Sequence, residues 1–178
     1  RSWAAALDRL APGRWTHRVL TVGYRTPAEI MEVAADVLAA HDPGATPPRA
    51  ARATGVRPWA RHVPPERLEA ATREEVDGDG SVAVIAPGPF PDVPGATVLT
   101  PREAKGLEFD TVLLVEPQRM DGADLYVAIT RATQRLGMLH TEPLPASLGR
   151  LERRCSDTGV TSRRGAPRPG RTARGTSR

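Results

Sequence analysis

The chain has 178 residues, 39% of them hydrophobic, with one cysteine and a formal net charge of +4. That length suits one ordinary domain plus some excess, and the composition permits a core without suggesting a membrane span. A lone Cys155 excludes both an internal disulfide and a cysteine-based metal site, and it fits a reducing compartment, so the cytoplasm is the expected location.

The charge is unevenly spread. Residues 150–178 hold nine Arg against Glu152 and Asp157, a sum of +7, whereas residues 1–149 carry sixteen basic and nineteen acidic residues, a sum of −3. The sequence therefore divides into a domain over 1–149 and a basic tail over 150–178 that is expected to be disordered. Such Arg-rich tails add salt-sensitive affinity for nucleic acid. The chain opens on Arg1 with no charged and then apolar leader, so it reads as a piece of something longer with no visible signal peptide.

Taken in order, residues 2–10 place Trp3, Ala6, Leu7 and Leu10 at helical spacing, which predicts a short packing helix ending before Pro12-Gly13. Arg18–Val22 reads as a strand running into Gly23-Tyr24-Arg25. Thr26 then offers an N-cap, Pro27 suits the first helical position, and Glu29 completes a capping box with Thr26. Ile30, Val33, Ala34, Val37 and Leu38 share one face of that helix until Asp42-Pro43-Gly44 ends it. Residues 43–65 read as a long surface connection with one strand near 57–63, which Pro58 would confine to a sheet edge.

A short helix is expected over 66–76, and the Asp77–Gly80 turn lacks the further ligands of a calcium loop. Ser81–Ala86 reads as a buried strand. Thr97–Val115 follows as strand, charged loop and strand, with Lys105-Gly106-Leu107-Glu108 at the strand ends, where ligand chemistry collects in α/β sheets. Lys105 is the sole lysine in the chain. Asp124–Ala132 predicts a helix with Leu125, Ala128, Ile129 and Ala132 on one face and Arg131 off that stripe. Leu136–His140 is a closing strand, and Ala146–Leu151 a last helical turn. Trp3, Trp15 and Trp59 read as packing residues, and His17, His41, His62 and His140 show no metal spacing.

Strands alternating with helices predict right-handed crossovers and a three-layer α/β domain with a mostly parallel sheet. Arg25, the Lys105–Glu108 loop and Arg131 then converge on a sheet end. Guanidinium groups gathered there suit a polyphosphate and stabilise the charge that develops in phosphoryl transfer. No GxxxxGK[ST] sequence is present, and no acidic dipeptide follows a strand, so the chain alone is not expected to hydrolyse a nucleotide.

These residues carry a resemblance. Gly23-Tyr24-Arg25-Thr26-Pro27 is similar to the fourth motif of UvrD/Rep-type superfamily 1 helicases, Ala104–Asp110 to their fifth and Leu125–Ala132 to their sixth. Gly23 stands where that family usually has Asn, and Pro101-Arg102-Glu103 departs from its usual approach to the fifth motif. The resemblance implies a second RecA-like domain, the half that closes over ATP and Mg held mainly by an N-terminal RecA-like domain. It implies Arg25 and Arg131 as phosphate-contacting fingers and Glu108 as a ribose contact. Tyr24 would lie near the adenine, and Lys105 and Gly106 would couple the nucleotide cleft to the strand-binding groove.

Single-stranded DNA is the implied partner. The segment between the capped helix and Ser81 leaves no room for a large inserted domain, and in this the chain resembles HelD-type motors that bind and recycle RNA polymerase. A remodelling module with RNA polymerase as partner, and an inactive fragment, are the alternative readings.

Overall fold

Alternate side chains of two apolar runs face opposite ways, and both faces are covered. Ala83, Ile85, Val112 and Leu114 point to one buried cluster, whereas Val84, Leu113 and Val115 point to another. A strand buried on both sides needs a layer of structure above and below it. The computed structural model, which describes residues 3–16, 21–76 and 80–154, supplies those layers.

Its elements in chain order are α1 (Trp3–Leu10), β1 (Val22–Gly23), α2 (Ala28–His41), β2 (Arg49–Ala50), β3 (Trp59–His62), α3 (Leu68–Glu75), β4 (Val82–Ile85), β5 (Thr97–Leu99), β6 (Phe109–Val115), α4 (Gly122–Ile129), β7 (Ala132–His140) and β8 (Glu152–Arg154). Six strands form one sheet in the order β5-β4-β6-β7-β3-β8, and every pairing in it is parallel. β1 and β2 make a separate parallel pair. The three-layer α/β architecture with a parallel sheet is therefore as the sequence predicts. Among the described residues no helix is long and apolar enough to cross a membrane.

Helices α2 and α4 cover one face of the sheet through Ile30, Val33, Ala34, Val37, Leu125, Ala128 and Ile129. Ala71 and half-buried Leu68 of α3 join Val63, Val93 and Leu139 over the other face. At the centre, Gly137 on β7 lies beneath the Trp59 indole of β3, where an added Cβ would come within 2.4 Å of the ring. The guanidinium of Arg154 stacks on the Trp59 ring at 4.0 Å, so Trp59 is a packing residue as expected.

Several local expectations change. The capping box does not form at Thr26. Pro27 is the N-cap of α2 without a side-chain cap, and Thr26 is buried, its hydroxyl reaching the Thr130 carbonyl at 3.5 Å. With Pro27 at the cap, Glu29 falls at the second helical position rather than the third, and it accepts from the amides of Thr54 and Gly55 at 3.1 and 2.6 Å. Its own amide, ahead of those two, holds its carboxyl below the usual range against the opposing effect of burial. A reciprocal Thr-x-x-Glu box forms instead at Thr100 and Glu103. The Glu103 carboxylate accepts from the Thr100 amide at 2.8 Å and its hydroxyl at 2.7 Å, and the Glu103 amide reaches back to that hydroxyl at 3.4 Å.

β3 is an interior strand rather than an edge. Pro58 precedes its first paired residue and costs no ladder bond; the Pro58 carbonyl even accepts from Glu152 where β8 begins. β8 also carries the sheet past the boundary drawn at residue 149. Helix α4 ends at Ile129, so Arg131 lies in the turn that follows it and Ala132 already begins β7. β5 is an outer strand with half-exposed side chains, and β4 lies between it and β6. On α1, Leu10 is 81% exposed, so the apolar stripe there does not pack as expected. The strand expected over 18–22 is described only from Thr21 onward. Most of the Asp77–Gly80 turn, His17, the Trp3 side chain, Cys155 and residues 156–178 lie outside the described residues.

Candidate functional site

Three turns at neighbouring strand ends bring their charges together. The turn after β1 carries Tyr24 and Arg25, the residue before β6 is Glu108, and the residue before β7 is Arg131. Backbone bonds fix this geometry: Phe109 donates to the Arg131 carbonyl at 3.0 Å, so β6 and β7 start side by side. Arg25 Nη1 pairs with Glu108 Oε1. Glu108 thus binds neither Arg102 nor Lys105, the local partners that sequence proximity suggests. Arg25, Glu108 and Arg131, with Tyr24, Tyr126 and Thr130, line a cleft of about 240 Å³.

Arg131 is held more firmly than Arg25. Its Nε donates to the Val127 carbonyl at 3.0 Å, Nη1 to the Leu107 carbonyl at 3.2 Å and Nη2 to the Thr130 hydroxyl at 3.2 Å. Burial, and then the Arg25 charge, pull its ionisation below the usual arginine range, yet a guanidinium stays protonated in proteins. Burial also raises the Tyr126 phenol, which the Arg131 charge partly offsets. Two guanidinium groups and one carboxylate therefore line the cleft, which leaves it net positive, with Arg25 exposed. Such a cleft can take a polyanion, and the planar donor forks match phosphate oxygens.

Of the residues singled out in the sequence, Tyr24, Arg25, Glu108 and Arg131 meet in this cleft. Tyr24 is 74% exposed, with its ring free to meet a ligand. Lys105 and Gly106 are outside the lining, both exposed, in the turn over 101–106. Gly106 has φ +84° with nothing within 4 Å of a built Cβ, so its backbone conformation rather than a close approach calls for glycine. The turn is nonetheless joined to the cleft, because the Leu107 carbonyl is one of the three acceptors on Arg131.

Arg52 went unnoticed in the sequence. Its guanidinium donates to the carbonyls of Tyr24, Arg25 and Thr133, but it stands in a Pro/Ala/Arg-rich segment where no periodicity marks it. Tyr126 and Thr130 had a signal, since both fall inside Leu125–Ala132. A second, larger crevice of about 710 Å³ opens at the carboxyl ends of β4, β6 and β7. There buried Glu116 has φ +54°, and its carboxylate accepts from the Thr141 amide and hydroxyl at 2.8 and 2.9 Å. Among the described residues no group of three His, Cys, Asp or Glu could hold a metal ion.

Residues 95–139 match the UvrD-like helicase C-terminal domain family. That segment contains Glu108 and Arg131 but stops short of Tyr24 and Arg25. The crystal structure of the C-terminal domain of a possible DNA helicase from Lactobacillus plantarum WCFS1 superposes with a TM-score of 0.55 at 17% identity, over 75% of this chain and 98% of that one. The likeness is one of fold. Arterivirus nonstructural protein 10, a helicase solved in complex with DNA, gives a TM-score of 0.28 at 16% identity over 76% of this chain and 34% of that one. No curated protein sequence matches the chain.

Proposed function

We propose that this chain is the second RecA-like half of a superfamily 1 motor, acting on ATP bound by a separate N-terminal RecA-like domain. The meeting of Arg25, Glu108 and Arg131 in one cleft carries the reading. In it, Arg25 and Arg131 contact the terminal phosphates and spread positive charge over oxygens that become more negative as the phosphoryl group transfers. Glu108 accepts from a ribose hydroxyl, and Tyr24 lies against the base. Mg²⁺ is held by the other domain, where it offsets phosphate charge.

The donor set fits this role. Arg131 is fixed by three oxygen acceptors and so is pre-organised, whereas Arg25, 71% exposed, has a single carboxylate to give up. Lys105 and Gly106, one turn away on the same loop, link nucleotide state to a strand-binding groove. Single-stranded DNA is the proposed track, in keeping with the helicase family whose C-terminal domain the segment 95–139 matches. A reducing cytoplasmic setting suits the lone Cys155.

One observation favours a HelD-type role with RNA polymerase as partner. Among the described residues between α2 and β4 there are β2, β3, a short 3-10 turn and α3, a connection too short for the large inserted domain that processive unwinding enzymes carry. The two roles separate in one experiment on the full-length protein. ATP-dependent strand separation without polymerase capture supports a helicase, and polymerase capture with ATP-driven release and no strand separation supports a remodelling motor. A protein with neither activity and no ATPase would be an inactive fragment and would refute the motor reading.

A further inference from the structure

We infer that Arg52 is a positioning residue for Arg25, acting through the backbone of the turn that carries it; the inference rests on the reading of Arg25 as a phosphate-contacting group. Arg25 sits in an exposed turn, and its side chain has one partner in the cleft, Glu108. What fixes its backbone is Arg52. Nε of Arg52 donates to the Tyr24 carbonyl at 3.2 Å, and Nη2 donates to the Arg25 carbonyl at 2.6 Å and to the Thr133 carbonyl.

The third acceptor gives this arrangement its functional meaning. Thr133 is the second residue of β7, two positions from Arg131, and its hydroxyl donates at 3.1 Å to the carbonyl of Phe109, the residue after Glu108. One guanidinium therefore ties the Tyr24-Arg25 turn to the strand starts that carry Arg131 and Glu108. A planar fork with five donors can span three carbonyls, whereas a lysine ammonium is a single point of charge.

Arg52 is itself anchored from behind. Its carbonyl accepts from the Ala28 amide at 2.9 Å, at the start of α2. Two and three residues on, the Thr54 and Gly55 amides donate to Glu29 on the first turn of that helix. The Ala51 amide also donates to the Gly23 carbonyl at 2.8 Å, just before Tyr24. The loop over 51–55 is thus a strut between the amino end of α2 and the turn bearing Arg25. This also accounts for Glu29, which the start of the helix does not use as a cap.

The test is steady-state ATPase of the full-length protein carrying Arg52→Met, Arg25→Ala or both, with Arg52→Lys as the variant that keeps charge and stem. A positioning role predicts that Arg52→Met and Arg52→Lys lower kcat by about tenfold or more, with KM for ATP within about threefold, because the misplaced group acts mainly on the transition state. It further predicts that the double variant is no slower than Arg25→Ala alone, since Arg52 has nothing left to position. A purely structural role would make the two losses multiply and would show in the melting temperature of Arg52→Lys.

Multiplying losses, or parental kcat in both Arg52 variants beside an impaired Arg25→Ala, would overturn the inference while leaving the phosphate-contact reading intact. Parental turnover in Arg25→Ala would overturn both.

Discussion

Arg25 and Glu108, far apart in the chain, form an ion pair across the candidate cleft through Nη1 and Oε1, with 71% and 35% of their side chains exposed. In the proposed motor each has another task, so the pair is a resting contact that a bound nucleotide must separate. An exposed pair of this kind stabilises the fold little, which lets it be exchanged at small cost.

Glu108→Ala should therefore act on binding more than on turnover. Losing a carboxylate that accepts from a ribose hydroxyl removes about 1.5 kcal/mol, so KM for ATP is expected to rise about tenfold, with kcat within about threefold. The variant should also lose the preference for ATP over 2′,3′-dideoxyATP. Kinetics of the full-length protein with both nucleotides check this, and retained discrimination would remove Glu108 from the ribose.

The sequence disclosed the sheet and the cleft unequally, and the reasons are physical. Val82–Ile85 and Phe109–Val115 are read as strands because burial on both faces leaves no polar alternation in their apolar segments. Arg25, Glu108 and Arg131 were recognisable because they stand in motifs with fixed neighbours. The capping box expected at Thr26 does not form because the Thr26 hydroxyl reaches the Thr130 carbonyl at the end of α4 while Pro27 caps the helix, a tertiary outcome that local propensity does not encode. β3 was placed at an edge because Pro58 was given the wrong register by one residue, and one residue decides whether a ladder bond is lost. Arg52 was invisible because its partners are backbone carbonyls 28, 27 and 81 positions away, and carbonyls have no residue identity.

Gly137 tests the packing of β3 on β7. An alanine Cβ there would approach the Trp59 ring to 2.4 Å, and the Arg154 guanidinium stacks on that ring at 4.0 Å. Gly137→Ala is expected to destabilise the domain by about 1–3 kcal/mol through overpacking. Equilibrium denaturation reads the effect directly. A midpoint equal to that of the parent would mean that the indole can move aside at no cost.

His140 makes stability depend on pH. It is 4% exposed, its Nδ1 lies 2.8 Å from the Glu142 carbonyl, and its ring meets that of His62 edge-on with centroids 5.4 Å apart. Burial lowers its pKa, with the His62 and Arg153 charges adding to that effect and the Glu142 carbonyl and Glu116 carboxylate opposing it. The unfolded chain takes up this proton near pH 6.5, but the folded chain does so only at lower pH. The stabilisation is therefore complete above about pH 6.5 and is lost progressively as pH falls from there through the folded value. Denaturant midpoints at pH 7.5 and 5.5 should differ in the parent and differ less in His140→Gln. An equal drop in both proteins would assign the effect to other groups.

If the cleft supplies charge to a phosphoryl group in transfer, Arg131, the guanidinium fixed by three acceptors, supplies much of it. The decisive measurement is steady-state ATPase of the full-length protein with Arg131→Ala, alongside nucleotide affinity and melting temperature. The expected result is a fall in kcat on the order of a thousandfold with folding retained and nucleotide still bound. Turnover within about threefold of the parent would contradict it.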